Sequence, residues 1–210
     1  GKQSVFVDGR RYTDEETAEI VRMVLAGKIN KSLVNLLERI GGKAVGLCGI
    51  DGHMMKCTVA DERLGYVGKI TDLDAKLIKD VLDDGYIPVI STVGYDDEGH
   101  IYNVNADTAS AVVAGALGAR SLILMTDTAG VLCDKDDPSS LIDKIYVSDI
   151  ASYIKQGIIS GGMIPKIECC KEGIRRGVEK VFIIDGRVEH SILVEILSDS
   201  GIGTMFVNGD

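Results

Sequence analysis

The chain has 210 residues, 45% of them hydrophobic, and carries a formal net charge of −9 at pH 7. This composition is typical of a globular protein with a sizeable core, and it excludes wholesale disorder. Because the chain is acidic and contains no block of Lys or Arg, nucleic acid and anionic membrane are excluded as main partners. No apolar run in the sequence reaches the length of a membrane span.

The five cysteines indicate a reducing compartment. Their number is odd, none of them forms a C-x-x-C pair, and Cys169 and Cys170 are adjacent. A disulfide framework would require a different pattern. With no signal-peptide pattern in the given sequence, we expect a cytoplasmic protein.

In chain order, the first half alternates helical and strand-like apolar patterns. Residues 13–16 resemble a capping box with Thr13 as the N-cap, and the helix that they open is predicted to end at Gly27. A second helix carries an apolar stripe of the kind that faces a core. The stripe comprises Leu33, Leu36, Leu37 and Ile40. Further predicted elements are a strand at 44–48, a hairpin within 53–70, a helix from 72, a strand at 87–90 and a turn at 97–99.

The second half continues this alternation and indicates the fold class. Helices are predicted at 107–117, 163–176 and 191–197, and strands at 121–125, 181–184 and 204–207. Short apolar strands between amphipathic helices predict an α/β protein, a three-layer αβα sandwich with a mostly parallel central sheet. No repeat or linker divides the chain, so we predict one domain. In such sheets, ligands bind beyond the carboxyl ends of the strands.

Three loops at such positions are candidates for chemistry. Asn103, Asn105 and Asp107 alternate ahead of a helix, although Asn and Asp are also the ordinary residues of a turn and an N-cap. The loop 126–131 follows a buried strand, which suits a nucleotide and equally suits any β–α turn. Residues 161–166 open a helix with two glycines, where backbone N–H groups could face phosphate. A lysine in that first turn either meets an anion or is simply solvated.

Several common sites have no support in the sequence. There is no G-x-x-x-x-G-K-[ST] motif, and no G-x-G-x-x-G follows a strand. His53, His100 and His190 lie far apart, so neither a zinc site nor a His-based triad is indicated. We expect no metal site formed by the protein itself.

Together and in this order, the motifs closely resemble those of the acetylglutamate kinases of the amino-acid kinase family. The resemblance runs from about Phe6 to Phe206. It rests on residues 8–13, 103–107, 126–131, 161–166, 185–187 and 201–204. It implies ATP-dependent phosphorylation of the γ-carboxylate of N-acetyl-L-glutamate, the second step of arginine synthesis, with Mg²⁺ carried by the nucleotide.

The residues agree with such a reaction. A glutamate-like carboxyl group has a reference pKa of about 4.3, so it is already ionised and needs no general base. Phosphoryl transfer then depends on positioning and on charge neutralisation. The lack of a histidine base is therefore consistent with the resemblance.

By matching position, the resemblance implies a role for each motif residue. Arg11 would grip a substrate carboxylate, and Asn103, with Asn105, would hold N-acetyl-L-glutamate. Asp107 would orient the catalytic lysines, and Lys166 would neutralise charge on the transferred phosphoryl group. The nucleotide pocket would be lined by Thr126, Asp127, Gly130, Gly162 and Met163. Residues up to about 105 would belong to a substrate-binding lobe, and those from about 106 to a nucleotide-binding lobe.

The C-terminal segment resembles the arginine-inhibited members of the family. Residues 185–187, together with His190, Glu195, Gly201 and Gly203, would then belong to an allosteric site for arginine, the expected feedback inhibitor. The alternative is a strand, a helix and a glycine turn that merely close the sheet. A homo-oligomer is also implied, as a dimer, or as a hexamer where the family's N-terminal helix is present.

The sequence departs from the family pattern at its start. Family members open with a Lys-x-Gly-Gly strand and a later Gly-Gly-Gly-Pro loop, which supply a second catalytic lysine and phosphate-facing glycines. Neither occurs here, so we expect about the first third of the family's chain to be missing and the given chain alone to be inactive or impaired. The alternatives are another family activity, on aspartate, carbamate or UMP, or a non-catalytic fragment that binds arginine or nucleotide.

Overall fold

The computed structural model describes residues 5–7, 10–198 and 201–209, with the side chains of residues 6, 7, 10 and 11 outside the description. By its internal contacts the chain divides into two compact units, Gly1–Ala109 and Ser110–Asp210. The boundary falls close to the expected lobe boundary at about residue 105. The assignment of one unit to substrate and the other to nucleotide remains a prediction.

The first unit combines a long helical segment with small sheets. Its helices are α1 (Glu15–Arg22), α2 (Asn30–Arg39) and α3 (Lys76–Asp83). Its strands are β1 (Phe6–Val7), β2 (Arg10–Arg11), β3 (Ala44–Cys48), β4 (Met55–Val59), β5 (Val67–Leu73), β6 (Ile87–Ser91), β7 (Val93–Tyr95) and β8 (Ile101–Val104). Strands β1 and β2 are antiparallel, β3 and β6 are parallel, and β4, β5, β8 and β7 close into a barrel. The predicted hairpin within 53–70 is β4 and β5.

The two helices predicted before residue 41 are one continuous helical segment. A π-helical stretch, Met23–Ile29, joins α1 to α2, so the predicted end at Gly27 is wrong. The predicted cap is also displaced by one residue, since the Asp14 side chain accepts the Thr17 N–H at 2.9 Å. Thr13 is instead buried and pairs through its backbone with the Leu64–Tyr66 segment.

Asn30 explains why this helix does not stop. Its side chain is buried, and its Nδ2 donates to Leu47 O at 3.1 Å and to Val89 O at 2.8 Å, one carbonyl from each strand of the β3–β6 pair. A Cβ on Gly46 would lie 1.9 Å from Asn30 Oδ1, so the helix lies directly against the strand. These long-range bonds hold the helix in place beyond Gly27.

The apolar stripe predicted on α2 faces mostly outward within this unit. Leu33 is 46% exposed, Leu36 52% and Ile40 76%, whereas Leu37 is half-buried. The helix predicted from residue 72 is also shorter, because residues 72 and 73 end β5 and α3 begins at Lys76.

The second unit contains the larger sheet. Its helices are α4 (Ala106–Leu117), whose first residues belong to the first unit, α5 (Ile150–Lys155), α6 (Met163–Arg175) and α7 (Ser191–Leu197). Its strands are β9 (Ser121–Thr126), β10 (Lys144–Tyr146), β11 (Lys180–Asp185) and β12 (Thr204–Val207). Of these helices and strands, only β10 and α5 were not predicted from the sequence.

The strand order of this sheet is β10-β12-β11-β9. Strand β11 is parallel to β9 and antiparallel to β12, and β12 is parallel to β10, so the sheet is mixed. As a result, the carboxyl ends of β9 and β11 lie at the same sheet edge as the amino ends of β12 and β10. The loops that follow β9 and β11 therefore lie beside the loops that precede β12 and β10.

Apolar side chains of α4, α6 and the sheet form the core of the second unit. Ile167, Cys170, Val181, Ile183 and Phe206 are each fully buried in it. The burial of these side chains stabilises the sheet and fixes α6 upon it, at about 25 cal/mol per Å² of apolar surface. No helix among the described residues combines the length and the apolarity that crossing a membrane requires.

Candidate active site

The predicted nucleotide loop begins at the carboxyl end of β9. Thr126 is the last residue of that strand, and its Oγ1 accepts the Thr128 N–H and donates to Thr128 O, both at 3.0 Å. Asp127 at the tip is exposed. The turn is thus closed by its own hydroxyl group, and the Asp127 carboxylate points to solvent.

Gly130 is required by close packing. A Cβ at this position would lie 2.4 Å from Thr204 Oγ1 and 2.9 Å from Leu141 Cδ1. The same Thr204 hydroxyl accepts the Val131 N–H at 2.9 Å, and both residues are buried. Since Thr204 opens β12, this bond ties the loop after β9 to the amino end of β12, as the sheet topology demands.

The glycine-rich start of α6 is open to solvent. Gly161 and Gly162 are exposed, and no side chain caps the helix. The N–H groups of Met163 and Ile164 already donate to Ser160 O and Gly161 O, each at 3.2 Å. A phosphate at this end would therefore meet the two glycines, the positive end of the helix and Lys166, which is half-buried in the first turn.

The loop before α6 is pinned by a lysine from another segment. Lys135 Nζ donates to Ser160 Oγ at 2.9 Å, and Ser160 directly precedes Gly161. This bond joins the segment after the nucleotide loop to the glycine pair. Met163, the first residue of α6, is partly buried against the core of the second unit.

In the first unit, two of the predicted substrate residues are tied into the fold. Asn103 lies on β8, and its Nδ2 donates to the buried Thr13 Oγ1 at 3.4 Å. Asn105 Oδ1 accepts the Thr108 N–H at 3.0 Å, so Asn105 caps α4, the ordinary role that the sequence left open. Asp107 stands in the first turn of α4 and is half-buried. The side chain of Arg11 lies outside the described residues.

Two of the predicted arginine residues, Gly201 and Gly203, lie against the Glu195 carboxylate on α7. Glu195 Oε2 accepts the N–H groups of Ile202 at 2.8 Å and Gly203 at 3.0 Å. Gly201 has φ +62°, and a Cβ there would lie 2.8 Å from Glu195 Oε1. His190, with φ +59°, is exposed at the start of the same helix. The loop before β12 therefore folds onto this carboxylate.

A charged pair stands beside the nucleotide loop. Asp185 ends β11 and accepts two guanidinium bonds from Arg187, at 2.9 Å to Oδ1 and 2.8 Å to Oδ2. The bond from Arg187 lowers the pKa of Asp185 to about 2, so its carboxylate is ionised throughout the neutral range. This pair was not predicted to take part in nucleotide binding, although it stands at the carboxyl end of β11 as Thr126 and Asp127 stand at that of β9.

One cluster in the first unit has the donor set of a metal site. The ligand atoms of Asp96, Glu98 and His100 all lie within 4.8 Å of one another. The Asp96 carboxylate already accepts hydrogen bonds from the His100 Nδ1 at 2.9 Å and from the Tyr102 hydroxyl at 2.8 Å. Hydrogen bonds within the β7–β8 turn account for this arrangement.

The comparisons with known proteins establish the class of protein. The model of the amino acid kinase family matches residues 1–185, and the chain belongs to that family. The predicted α/β fold class and the predicted class of enzyme, a kinase, are confirmed with it.

Acetylglutamate kinases are among the relatives that match nearly the whole chain. The acetylglutamate kinase of Brachyspira hyodysenteriae is 55% identical over 208 residues, which are 98% of this chain and 72% of that relative's length. The resemblance to the acetylglutamate kinases that the motifs predicted is thereby confirmed.

Solved structures agree on the fold. The smu.665 protein of Streptococcus mutans has a TM-score of 0.82 at 29% identity, over 99% of this chain and 78% of that one. N-acetylglutamate synthase from Neisseria gonorrhoeae, solved with coenzyme A and L-arginine, has a TM-score of 0.79 at 21% identity, over 100% and 50% of the two chains. At that identity the likeness concerns the fold alone.

Proposed function

We propose that the chain catalyses transfer of the γ-phosphoryl group of ATP to the γ-carboxylate of N-acetyl-L-glutamate, the second step of arginine synthesis. The observation that carries this proposal is the 55% identity to an acetylglutamate kinase over 98% of the chain. The open glycine-rich start of α6 supports it, because such a helix terminus favours an anion.

The residues have distinct parts in this reaction. In the second unit, the loop Thr126–Gly130 and the Gly162–Met163 pair bind the nucleotide, and Lys166 neutralises charge on the transferred group. In the first unit, Arg11, Asn103 and Asn105 hold N-acetyl-L-glutamate, and Asp107 is the second catalytic residue. The acceptor carboxylate is already ionised, so no side chain has to remove a proton. Mg²⁺ that accompanies the nucleotide neutralises part of the phosphate charge when it is bound.

Trapping of the acyl phosphate with hydroxylamine tests the reaction and the substrate together. The 210-residue chain is assayed beside a version preceded by a segment that carries the family's Lys-x-Gly-Gly and Gly-Gly-Gly-Pro sequences. Hydroxamate formed from N-acetyl-L-glutamate, ATP and Mg²⁺ by either protein is the expected result. In parallel assays, phosphoryl transfer to aspartate, carbamate or UMP, with none to N-acetyl-L-glutamate, would contradict the proposed substrate.

Arginine is proposed as a feedback inhibitor that binds at His190, Glu195, Gly201 and Gly203. The half-buried carboxylate of Glu195 is the natural partner for a guanidinium group. We expect L-arginine to bind in a calorimetric titration and Glu195→Gln to weaken that binding at least tenfold. Glu179→Gln, at an exposed carboxylate that pairs with Arg120 at 3.5 Å, is the control. Equal affinities in the two variants would exclude Glu195 from the site.

A homo-oligomer is part of the proposal. The exposed apolar stripe of Leu33, Leu36 and Ile40 supports it, because contiguous apolar surface of this kind is usually covered by a partner. Sedimentation velocity over a range of protein concentrations is the direct measurement. A purely monomeric protein would contradict the proposed homo-oligomer and leave the proposed reaction unaffected.

A cytoplasmic location completes the proposal. All five cysteines fall within the described residues, and each is a free thiol. Free thiols persist in a reducing compartment.

A further inference from the structure

The segment after β11 is joined directly to the proposed nucleotide loop. Strands β9 and β11 are parallel neighbours, and their register pairs Thr126 with Asp185 at the carboxyl ends. The Gly186 N–H donates to Thr126 O at 2.8 Å, and a Cβ on Gly186 would approach Met125 Cβ to 3.2 Å. The chain after β11 therefore turns immediately beside the loop that follows β9.

Arg187 is held rigidly at this place. Its backbone N–H and its Nε both donate to Asp185 Oδ1 at 2.9 Å, and its Nη2 donates to Oδ2 at 2.8 Å. The Asp185 side chain is only 16% exposed, whereas that of Arg187 is 69% exposed. A carboxylate that grips the edge of the guanidinium leaves the flat faces of that group available.

The charge around Arg187 is largely offset. Asp185, and more weakly Asp127, act on the guanidinium and raise the pKa of Arg187. Two carboxylates near one guanidinium make this spot a poor one for a phosphate group. The exposed glycines at the start of α6, together with Lys166, are a better place for it. A planar cation with balanced charge instead suits a π-system, on which arginine stacks readily.

We propose that Arg187 binds the base of the nucleotide by stacking its guanidinium on the purine ring. This inference rests on the proposed function, because it assigns a residue to the same nucleotide site. It adds a determinant of base preference that lies outside the predicted nucleotide residues. Asp185 is then a positioning residue, which keeps the guanidinium plane in one orientation.

The test compares ATP with UTP, which have the same triphosphate and differ in the stacking area of the base. Dissociation constants of both Mg²⁺ complexes are measured for the full chain and for Arg187→Ala, Arg187→Lys and Arg175→Ala. Arg175 is a matched control, because it forms an equivalent bidentate pair with Glu172 and its side chain is 68% exposed. Urea unfolding of each variant verifies that the fold is kept.

We expect Arg187→Ala to weaken ATP binding about tenfold and UTP binding much less, so that the preference for ATP shrinks. Arg187→Lys should behave nearly like Arg187→Ala, since lysine keeps the charge and loses the plane. An equal loss for both nucleotides would show a phosphate contact and overturn the proposal, as would no loss relative to Arg175→Ala. Failure to bind ATP by both the unaltered chain and the version that carries the family's Lys-x-Gly-Gly and Gly-Gly-Gly-Pro sequences would instead overturn the proposed function, and this inference with it.

Discussion

Lys166 stands where an ordinary helix would carry an acidic residue. It lies in the first turn of α6, at the positive end of the helix, and the first turn itself contains no Asp or Glu. A bound phosphate would explain this placement, since it would interact favourably with both the helix end and the ammonium group. The position of Lys166 in the helix therefore agrees with its proposed role in neutralising phosphate charge.

Replacing Lys166 by methionine should lower kcat by about 100- to 1,000-fold, or about 2.7–4 kcal/mol, because one charge-neutralising donor is lost. The measurement is the rate of acyl-phosphate formation, with N-acetyl-L-glutamate and ATP both saturating. Lys171→Met is the control, on the same helix and half exposed, with only a surface contact to Glu168 at 3.5 Å. If both substitutions reduce kcat equally, the special role of Lys166 is disproved.

Thr204 should contribute stability through its hydroxyl group. It is fully buried, and its Oγ1 accepts the Val131 N–H at 2.9 Å. Thr204→Val keeps the shape and leaves that N–H without an acceptor, at a cost of about 1–3 kcal/mol in the free energy of unfolding. Urea unfolding measures this cost, with Thr204→Ser as the control that retains the acceptor. A valine variant as stable as the serine variant would show that the bond contributes little.

At the residue scale, candidate functional residues could be identified from the sequence where the residue type is unusual for its local position. Lys166 and Gly130 could be singled out because a first-turn lysine and a glycine after a strand need a reason. Residues 185–187 were assigned only to the arginine site, because the position of Arg187 beside the loop after β9 depends on β11 lying next to β9, which only the strand order reveals. For Asn105, the structure shows the ordinary role that the residue type suggests, since its side chain caps α4.

At the scale of elements, the β7–β8 turn has a built-in pH dependence. Burial acts to raise the pKa of Asp96, but bonds from His100 and Tyr102 outweigh it and lower that pKa to about 2. The same bond from Asp96 raises the pKa of His100 above its ordinary value of 6.5, with smaller contributions from Glu98 and Glu15. Protonated His100 therefore stabilises the folded turn.

The sign follows from the direction of the shift. Because the pKa of His100 is higher in the folded state, its contribution is complete below about pH 6.5 and is lost as the pH rises through the folded value. The urea concentration at the unfolding midpoint should therefore decrease as the pH is raised from about 6 to about 8. The His100→Gln substitution should make this decrease smaller. His190→Gln, at an exposed histidine, is the control. An unchanged slope in His100→Gln would refute the coupling.

The accuracy of the predicted elements depended on how local their signals are. The strands at 44–48 and 204–207 were correct because an apolar run bounded by glycine is a local signal. The break at Gly27 was wrong, because the Asn30 amide bonds to two strands that lie 17 and 59 residues further along the chain. Such a partner leaves no mark near Gly27. Strands β7, β8 and β10 are only three or four residues long and carry too little pattern to be recognised.

At the scale of the whole molecule, the two units should respond to different ligands. ATP should protect amides of residues 126–131 and 161–167 from hydrogen exchange, and N-acetyl-L-glutamate should protect those of residues 101–107. The reason is that bound ligands suppress local opening of the segments that they contact. L-aspartate is the control for the second ligand. Protection of only the second unit by N-acetyl-L-glutamate would contradict the assignment of the units.

The reversed direction of β12 has a practical consequence. Val207 at its end pairs with Lys180 at the beginning of β11 and with Tyr146 at the end of β10. The six residues of β11 separate that point from Asp185 by about 17 Å, at about 3.3 Å per residue. A fluorophore or an immobilisation tag attached beyond residue 207 would therefore lie at the end of the strands opposite to the loops that follow β9 and β11. Nucleotide titrations on a sensor surface could use this attachment point without the linker obstructing the loops under study.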